Sequence, residues 1–247
     1  MNLVKTKSFE LAINSIGDSK SSKMAIVLPG RLDTKDYPHI ISHVKHLAEF
    51  GFFALSFDPP GTWESKGDIS IYSMTNYLKA INELIEYFGN RQTLLVGHSR
   101  GGSMSMLAGT TNQNVSAFAS IMSSYTYKPE RSHDEELSWK QDGFLIEERE
   151  IPNTKEIREY KLPYSFYLDQ CQYDMSSKLS ECKKPKMFVY GEKDIWVEPE
   201  LVKKAYTISS DPKELRSVNS DHDYRFKQNI VVEINILIDE FLKKYNL

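Results

Sequence analysis

Short runs rich in β-branched and aromatic residues alternate along this chain with longer stretches of helical period, and no other feature constrains the fold as strongly. Residues 24–30 (MAIVLPG), 52–58 (FFALSFD), 92–99 (QTLLVGHS), 115–122 (VSAFASIM) and 186–194 (KMFVYGEKD) read as strands. Ile71, Met74, Leu78, Ile81, Leu84, Ile85 and Phe88 place one apolar stripe on a helix, and Ile230, Val231, Ile234, Leu237, Ile238 and Phe241 place another near the C-terminus. Strands that alternate with helices pair in parallel, because a parallel connection needs a crossover long enough to hold a helix. The expectation is an α/β fold, a mostly parallel, doubly wound sheet with helices on both faces. Ahead of it, KSFELAI (7–13) alternates weakly and reads as an antiparallel edge strand.

The rhythm stops after Met122. Residues 123–184 carry charged and aromatic text such as SWKQDGFLIEEREIP before the next strand begins, and an insertion that long in an α/β domain is usually functional. The reading is one domain over residues 1–247 with a lid inserted at about 123–184. The nine lid aromatics counted from Tyr125 to Tyr173 are only slightly denser than in the chain as a whole, which fits anchoring the lid as well as lining a pocket.

A net charge of −3, from 31 basic and 34 acidic residues, provides no field for neutralising phosphates, which argues against a nucleic-acid partner. The two cysteines, Cys171 and Cys182, form no CxxC and suggest neither a disulfide framework nor a zinc site. The N-terminal twenty residues break every short apolar run with a polar one, unlike a signal peptide, and no apolar run approaches the roughly 18 residues of a membrane span. A cytoplasmic location is expected.

Against this background LLVGHSRGG (94–102) stands out. The order is strand, then Gly-x-Ser-x-Gly, then small residues opening a helix. A serine on so tight a turn needs glycine two positions either side, and Gly97 and Gly101 occupy those places. The turn exposes the Ser99 hydroxyl and sets the backbone N–H of Arg100 at a helix N-terminus, where it faces a developing oxyanion. The alternative is a merely structural glycine-rich corner.

A serine nucleophile requires a base and a group that orients it. Of six histidines, His98 neighbours Ser99 but points to the opposite face of the strand, as a packing residue. His39, His43 and His46 share a helix face and read as partly exposed positions rather than metal ligands; His133 lies in the lid. His222, in a loop before the last helix, is the expected base. For the acid, Asp194 ends a strand just past a glycine turn, where its carboxylate can reach an imidazole; Glu198 is next, and Glu192, Asp221 and Asp223 compete.

GHSRGG, YGEKDIWV and DHDY, in the order Ser99, Asp194, His222, resemble the α/β-hydrolase superfamily, most closely its small cytosolic serine hydrolases of the esterase and serine-aminopeptidase-like branch. The resemblance runs from about Met24 to the C-terminus and implies the α/β-hydrolase fold. Relatives carry His-Gly-x after the strand that supplies the second oxyanion donor. Here VLPGRLD occupies that place, with Pro29 instead of the histidine, which implies the backbone N–H of Arg31 as partner to Arg100. Asp58, in FDPPGTWES, reads as a loop anchor, and the insertion matches the position of the family's cap.

The activity implied is hydrolysis of a carboxylic ester, or a related activated acyl bond, of a small molecule through an acyl-enzyme, with no metal or organic cofactor. A serine peptidase of the aminopeptidase-like kind, with acidic lid residues such as Glu135, Glu136, Glu147 and Glu148 binding an amine, and an acyltransferase are alternatives on the same triad. A non-catalytic binding protein is a third. The Arg31 and Arg100 side chains either bias the entrance toward anionic acyl groups or make structural salt bridges with loop carboxylates.

Overall fold

The computed structural model describes residues 2–127 and 133–247. Met1 and residues 128–132, the latter inside the expected insertion, lie outside the described residues. In chain order the first half runs β1 (Asn2–Lys5), β2 (Glu10–Ile16), β3 (Lys23–Leu28), α1 (Pro38–Glu49), β4 (Phe53–Phe57), α2 (Met74–Tyr87), β5 (Gln92–His98), α3 (Arg100–Thr111) and β6 (Val115–Ile121). The second half runs α4 (His133–Asp142), β7 (Phe144–Glu150), β8 (Ile157–Pro163), α5 (Tyr164–Gln170), α6 (Ser176–Glu181), β9 (Lys186–Gly191), α7 (Pro199–Ile208), β10 (Lys213–Val218) and α8 (Gln228–Tyr245).

Eight strands form one sheet in the order β1-β2-β4-β3-β5-β6-β9-β10. The strands from β4 to β10 pair in parallel, and β1 and β2 add antiparallel. All five strands expected from β-rich runs are present. The weakly alternating segment is a strand too, but not the edge: β1 covers it. With four residues and only Val4 buried, β1 is too short to show a period.

Each face of the sheet has its own core. On one face Met74, Tyr77, Ile81 and Leu84 of α2 pack with Met104 and Leu107 of α3 and Val202 of α7 against Ile26, Leu55, Leu95 and Phe188. On the other, Ile40 and Val44 of α1 and Ile234, Ile238 and Phe241 of α8 cover Val27, Val96, Ala119 and Val189. This is the double winding that alternation implied, and it buries the central strands on both sides.

Connectivity decides where a site can form. From β3 the chain crosses to β4 on one side, then returns to β5 on the other, so the loops after β3 and β5 part and leave a crevice beyond their carboxyl ends. Between β6 and β9, neighbours in the sheet, the chain makes a long excursion through α4, the antiparallel β7–β8 hairpin, α5 and α6. Its aromatics Trp139, Tyr160, Phe166 and Tyr167 are buried with Leu32 and Tyr72 of the body, which accounts for them as anchors.

Candidate active site

Ser99 joins β5 to α3 with its backbone at φ 52° and ψ −121°. That left-handed region costs a non-glycine residue about 1–3 kcal/mol and persists only where the surroundings enforce it. Here they do: its N–H donates to the Ile121 carbonyl (2.9 Å), and its own carbonyl accepts from the Ser123 hydroxyl (2.7 Å) and from the N–H of Gly102 (2.9 Å) and Ser103 (3.1 Å). A Cβ on Gly97 would overlap the Gly101 carbonyl, and one on Gly101 would overlap the Leu28 carbonyl. Both glycines are therefore required by close backbone approach.

The turn directs the Ser99 hydroxyl at an imidazole. His222 Nε2 lies 2.9 Å from Ser99 Oγ, and His222 Nδ1 lies 2.7 Å from Asp194 Oδ2. The carboxylate can only accept, so Nδ1 carries the proton and Nε2 offers its lone pair to the serine. The Asp194 side chain is fully buried, and its other oxygen accepts the N–H of Trp196 (2.9 Å) and Val197 (2.8 Å). The loops after β9 and β10 are joined by hydrogen bonds from Glu192 N–H to the Val218 carbonyl and from Lys193 N–H to the Ser220 carbonyl, both 3.0 Å. Competing carboxylates are engaged elsewhere: Glu192 with Ser217, Asp221 with Lys227 and Asp223 with Arg225, while Glu198 is exposed.

Behind His222 lies a layer of buried rings. His98 turns away from Ser99, as expected, but it also supports His222: its Nε2–H donates to the His222 carbonyl (3.0 Å). The His39 and His43 side chains are buried, not partly exposed: α1 packs on α8 at His43, and the rings of Tyr37, His98 and Tyr224 surround His39. His43 is held between Asn235 Oδ1 (2.6 Å) and the Tyr224 hydroxyl (3.1 Å), whereas His46 pairs with Asp239. Burial lowers the pKa of His43 to about 4 and puts His39 and His98 well below the usual histidine value, so all three rings are neutral at pH 7. The side chain of His133, which opens α4, lies outside the described residues.

Arg100 is the first residue of α3, so its N–H lies at the positive end of that helix beside Ser99. The loop after β3 runs along the other side: a Cβ on Gly30 would lie 3.5 Å from Ser99 Cβ, which brings Arg31 next to the serine. Distant side chains fasten this loop. The Arg31 carbonyl accepts Nε–H (3.2 Å) and Nη2–H (2.9 Å) of Arg149 on β7; Leu32, at φ 58°, donates its N–H to the Tyr72 hydroxyl (3.2 Å) and accepts Nε1–H of Trp63 (2.8 Å). Asp33 Oδ1 lies 3.1 Å from Arg225 and 3.8 Å from Arg149. Burial pushes the Asp33 carboxyl up from its usual value, and these two guanidinium groups oppose the rise.

The side chains of the two expected oxyanion residues differ. Arg31 makes a salt bridge with Glu147 (2.8 Å). Arg100 corrects both readings of its side chain: 6% exposed, it stacks on Tyr127 and Phe166 at 4.0 and 5.2 Å and bonds Gln170 (2.6 Å) and Met74 Sδ (3.0 Å), none of them a carboxylate. It fixes α5 to the body and does not face an entrance.

Among the described residues two groups of side chains have ligand atoms close enough to hold a metal ion, Asp36 with Asp58 and Glu64, and Asp33 with His39 and His98. Each already contains a cation. The Lys35 ammonium lies 2.6 Å from Asp36, 2.6 Å from Glu64 and 3.4 Å from Asp58, while Arg225 and Arg149 flank Asp33. Asp58 also accepts the Thr34 hydroxyl and the N–H of Lys35 and Glu64, as a loop anchor.

Residues 26–149, half of the chain, match the model of the alpha/beta hydrolase fold family. The chain belongs to that family, which supports hydrolase activity. Among solved structures, Est1E from Butyrivibrio proteoclasticus with ferulic acid bound aligns with a TM-score of 0.75 at 15% identity, covering 98% of this chain and all of that one. Mouse alpha/beta hydrolase domain-containing protein 10 gives 0.78 at 17% identity over 99% and 98% of the two chains. The enol-lactonase from Burkholderia xenovorans gives 0.76 at 14% over 98% and 100%. At such identities the likeness is one of fold. No curated protein matches the sequence.

Sequence reasoning missed Arg149, Asp33, Arg225 and Trp63. A signal existed for Arg149: along β7 Leu145, Glu147 and Arg149 alternate with more exposed residues, a period of two inside text that read only as charged.

Proposed function

We propose that this chain is a serine hydrolase that cleaves a carboxylic ester of a small molecule through an acyl-enzyme, with Ser99 as nucleophile, His222 as general base and acid, and Asp194 as the acid that orients it. The observation that carries this reading is the continuous pair of hydrogen bonds from Ser99 Oγ through the His222 ring to buried Asp194, at 2.9 and 2.7 Å. His222 Nε2 takes the serine proton as Oγ attacks the ester carbonyl, and Asp194 stabilises the imidazolium that results. The N–H groups of Arg100 and Arg31 receive the oxyanion, each such donor lowering the barrier by about 3 kcal/mol. His222 then protonates the departing alkoxide, and a water activated by the same nitrogen releases the acid.

Peptidase action finds less support. Of the acidic residues that would bind an amine, Glu147 is committed to Arg31 and Arg149, and Glu136 accepts from the Tyr164 hydroxyl. Glu148 sits on the exposed side of β7, and the Glu135 side chain lies outside the described residues. An acyltransferase would use the same triad with an alcohol or amine replacing water. The fold 1–247 with an inserted cap and a cytoplasmic location belong to this reading. Cys171 and Cys182 form no disulfide with each other, and among the described residues no helix is long and apolar enough to cross a membrane.

The test is a fluorophosphonate probe with rates on p-nitrophenyl acetate and an aminoacyl p-nitroanilide. The expected result is labelling and ester turnover by the wild type, neither by Ser99→Ala, and little turnover of the anilide. An unlabelled, inactive wild type would point to a binding protein.

A further inference from the structure

We propose that Arg149, on the β7–β8 hairpin, is a positioning residue for the oxyanion hole, so that the hairpin is part of the catalytic apparatus and not only a cover. The proposal rests on the reading of Ser99 as nucleophile and of the Arg31 N–H as an oxyanion donor.

That N–H can serve only if the segment from Gly30 to Asp33 holds one conformation before substrate arrives. The segment has little means of holding itself. Leu32 sits in the left-handed region at φ 58°, where a non-glycine residue stays only under external constraint, and within the loop only the Asp33 N–H to Gly30 carbonyl bond (3.2 Å) closes the turn. The constraint on Arg31 itself comes from Arg149. Its guanidinium places two N–H groups on the single carbonyl oxygen of Arg31, at 3.2 and 2.9 Å, and a fork of this kind fixes direction as well as distance.

Two further contacts fix the fork. Glu147, two residues earlier on the same inward face of β7, lies 3.2 Å from Arg149 Nη1 and 2.8 Å from Arg31 Nη2, so one carboxylate braces both arginines. Asp33, buried and 3.8 Å from Arg149 Nε, is shared with Arg225 at 3.1 Å, and Arg225 follows His222 by three residues. The hairpin, the oxyanion loop and the base's loop are thus joined through Arg149 and Asp33. Lifting β7 away would release the Arg31 carbonyl while Tyr72, Trp63 and Arg225 keep their bonds to Leu32 and Asp33, so a state with the hairpin open is one in which the peptide carrying the oxyanion donor has lost its own fixing bonds.

The experiment compares Arg149→Ala, Arg149→Lys and Tyr37→Phe with the wild type, and runs Ser99→Ala alongside. Tyr37→Phe removes a different bond between hairpin and body, from the Tyr37 hydroxyl to the Glu150 carbonyl (2.9 Å), without touching Arg31. Readouts are kcat and KM on p-nitrophenyl acetate, the affinity of phenylboronic acid, whose tetrahedral serine adduct places an oxygen in the hole, and the melting temperature. Arg149→Ala is expected to lower kcat by about 10- to 100-fold with KM within about threefold, and to weaken the boronate in parallel. Arg149→Lys, with a single donor nitrogen in place of the two-nitrogen fork, recovers part of the loss, and Tyr37→Phe keeps kcat within about threefold of the wild type.

An Arg149→Ala enzyme with unchanged kcat, or with a raised KM alone, would overturn the proposal. So would full recovery in Arg149→Lys, which assigns the effect to charge beside Asp33, or an equal kcat loss in Tyr37→Phe, which assigns it to loosening of the hairpin. Hydrolysis that persists in Ser99→Ala removes the nucleophile on which the proposal rests; if Ser99→Ala is inactive while Arg149→Ala is unchanged, only the positioning role falls.

Discussion

The two walls of the crevice are built by opposite means. The turn at Ser99 is enforced from nearby: glycines two residues either side allow the backbone to close, and the strained serine is held by bonds to its own helix, to the adjoining β6 and to Ser123, two residues beyond that strand. The loop from Gly30 to Asp33 is enforced from far away, by Trp63, Tyr72, Arg149 and Arg225. A turn fixed by its own neighbours is written in a short motif. A loop fixed by borrowed side chains shows nothing of that in its own sequence.

Breaking the hydrogen-bonded chain that the first wall presents, and then that wall itself, should give the largest effects. His222→Ala and Asp194→Asn are each expected to lower kcat by about 10⁴-fold, with the fold intact by circular dichroism. Asp194→Asn with near-wild-type kcat would move the orienting acid elsewhere. Next in size is Gly101→Ala, whose Cβ would overlap the Leu28 carbonyl. Both partners are backbone and cannot give way cheaply, so urea unfolding should show a loss of at least about 3 kcal/mol.

The layer beneath His222 makes the comparison pH-dependent. His39, His43 and His98 are held neutral by burial, with His43 down to about 4, whereas in the unfolded chain they take up protons below about pH 6.5. The folded state then binds fewer protons, so the stability these groups contribute is fully present above pH 6.5. It is lost as pH falls toward 4, by about 1.4 kcal/mol per pH unit for each ring once the unfolded form is charged. Urea midpoints between pH 7.5 and 5 should fall accordingly, and a flat series would mean that the rings are hydrated or charged in the folded state.

The smallest effect belongs to the second wall. Trp63→Phe removes the indole N–H from the Leu32 carbonyl and keeps most of the ring packing, at a cost of about 1 kcal/mol in stability. If the loop is held by shared contributions, kcat should fall less than for Arg149→Ala, which loses two bonds to the carbonyl of Arg31 itself.

The legibility of the chain follows the same division. Strands β3 to β6 and β9 showed as apolar runs because burial on both faces leaves no polar alternation to blur them, and Ser99, Asp194 and His222, which the fold brings within hydrogen-bond distance, could be singled out because each follows such a run or the short strand-like segment at β10. The excursion was visible only as a gap in the rhythm. Its strand β7 alternates between a half-buried face turned to the body and one carrying Ile146, Glu148 and Glu150, a pattern hidden by charge on both sides. His39 and His43 misled for the same reason, since a polar residue type hid positions covered by the rings of Tyr224 and His98 and, at His43, by α8.

Trapping the acyl-enzyme tests the central claim most directly. The wild type would be mixed with p-nitrophenyl acetate, quenched in acid within the burst, digested, and its peptides weighed by mass spectrometry. The account requires a single acetyl group on the peptide containing Ser99, absent from Ser99→Ala and lost on longer incubation. Ester turnover with the acetyl group elsewhere, or with none at any time, would contradict it.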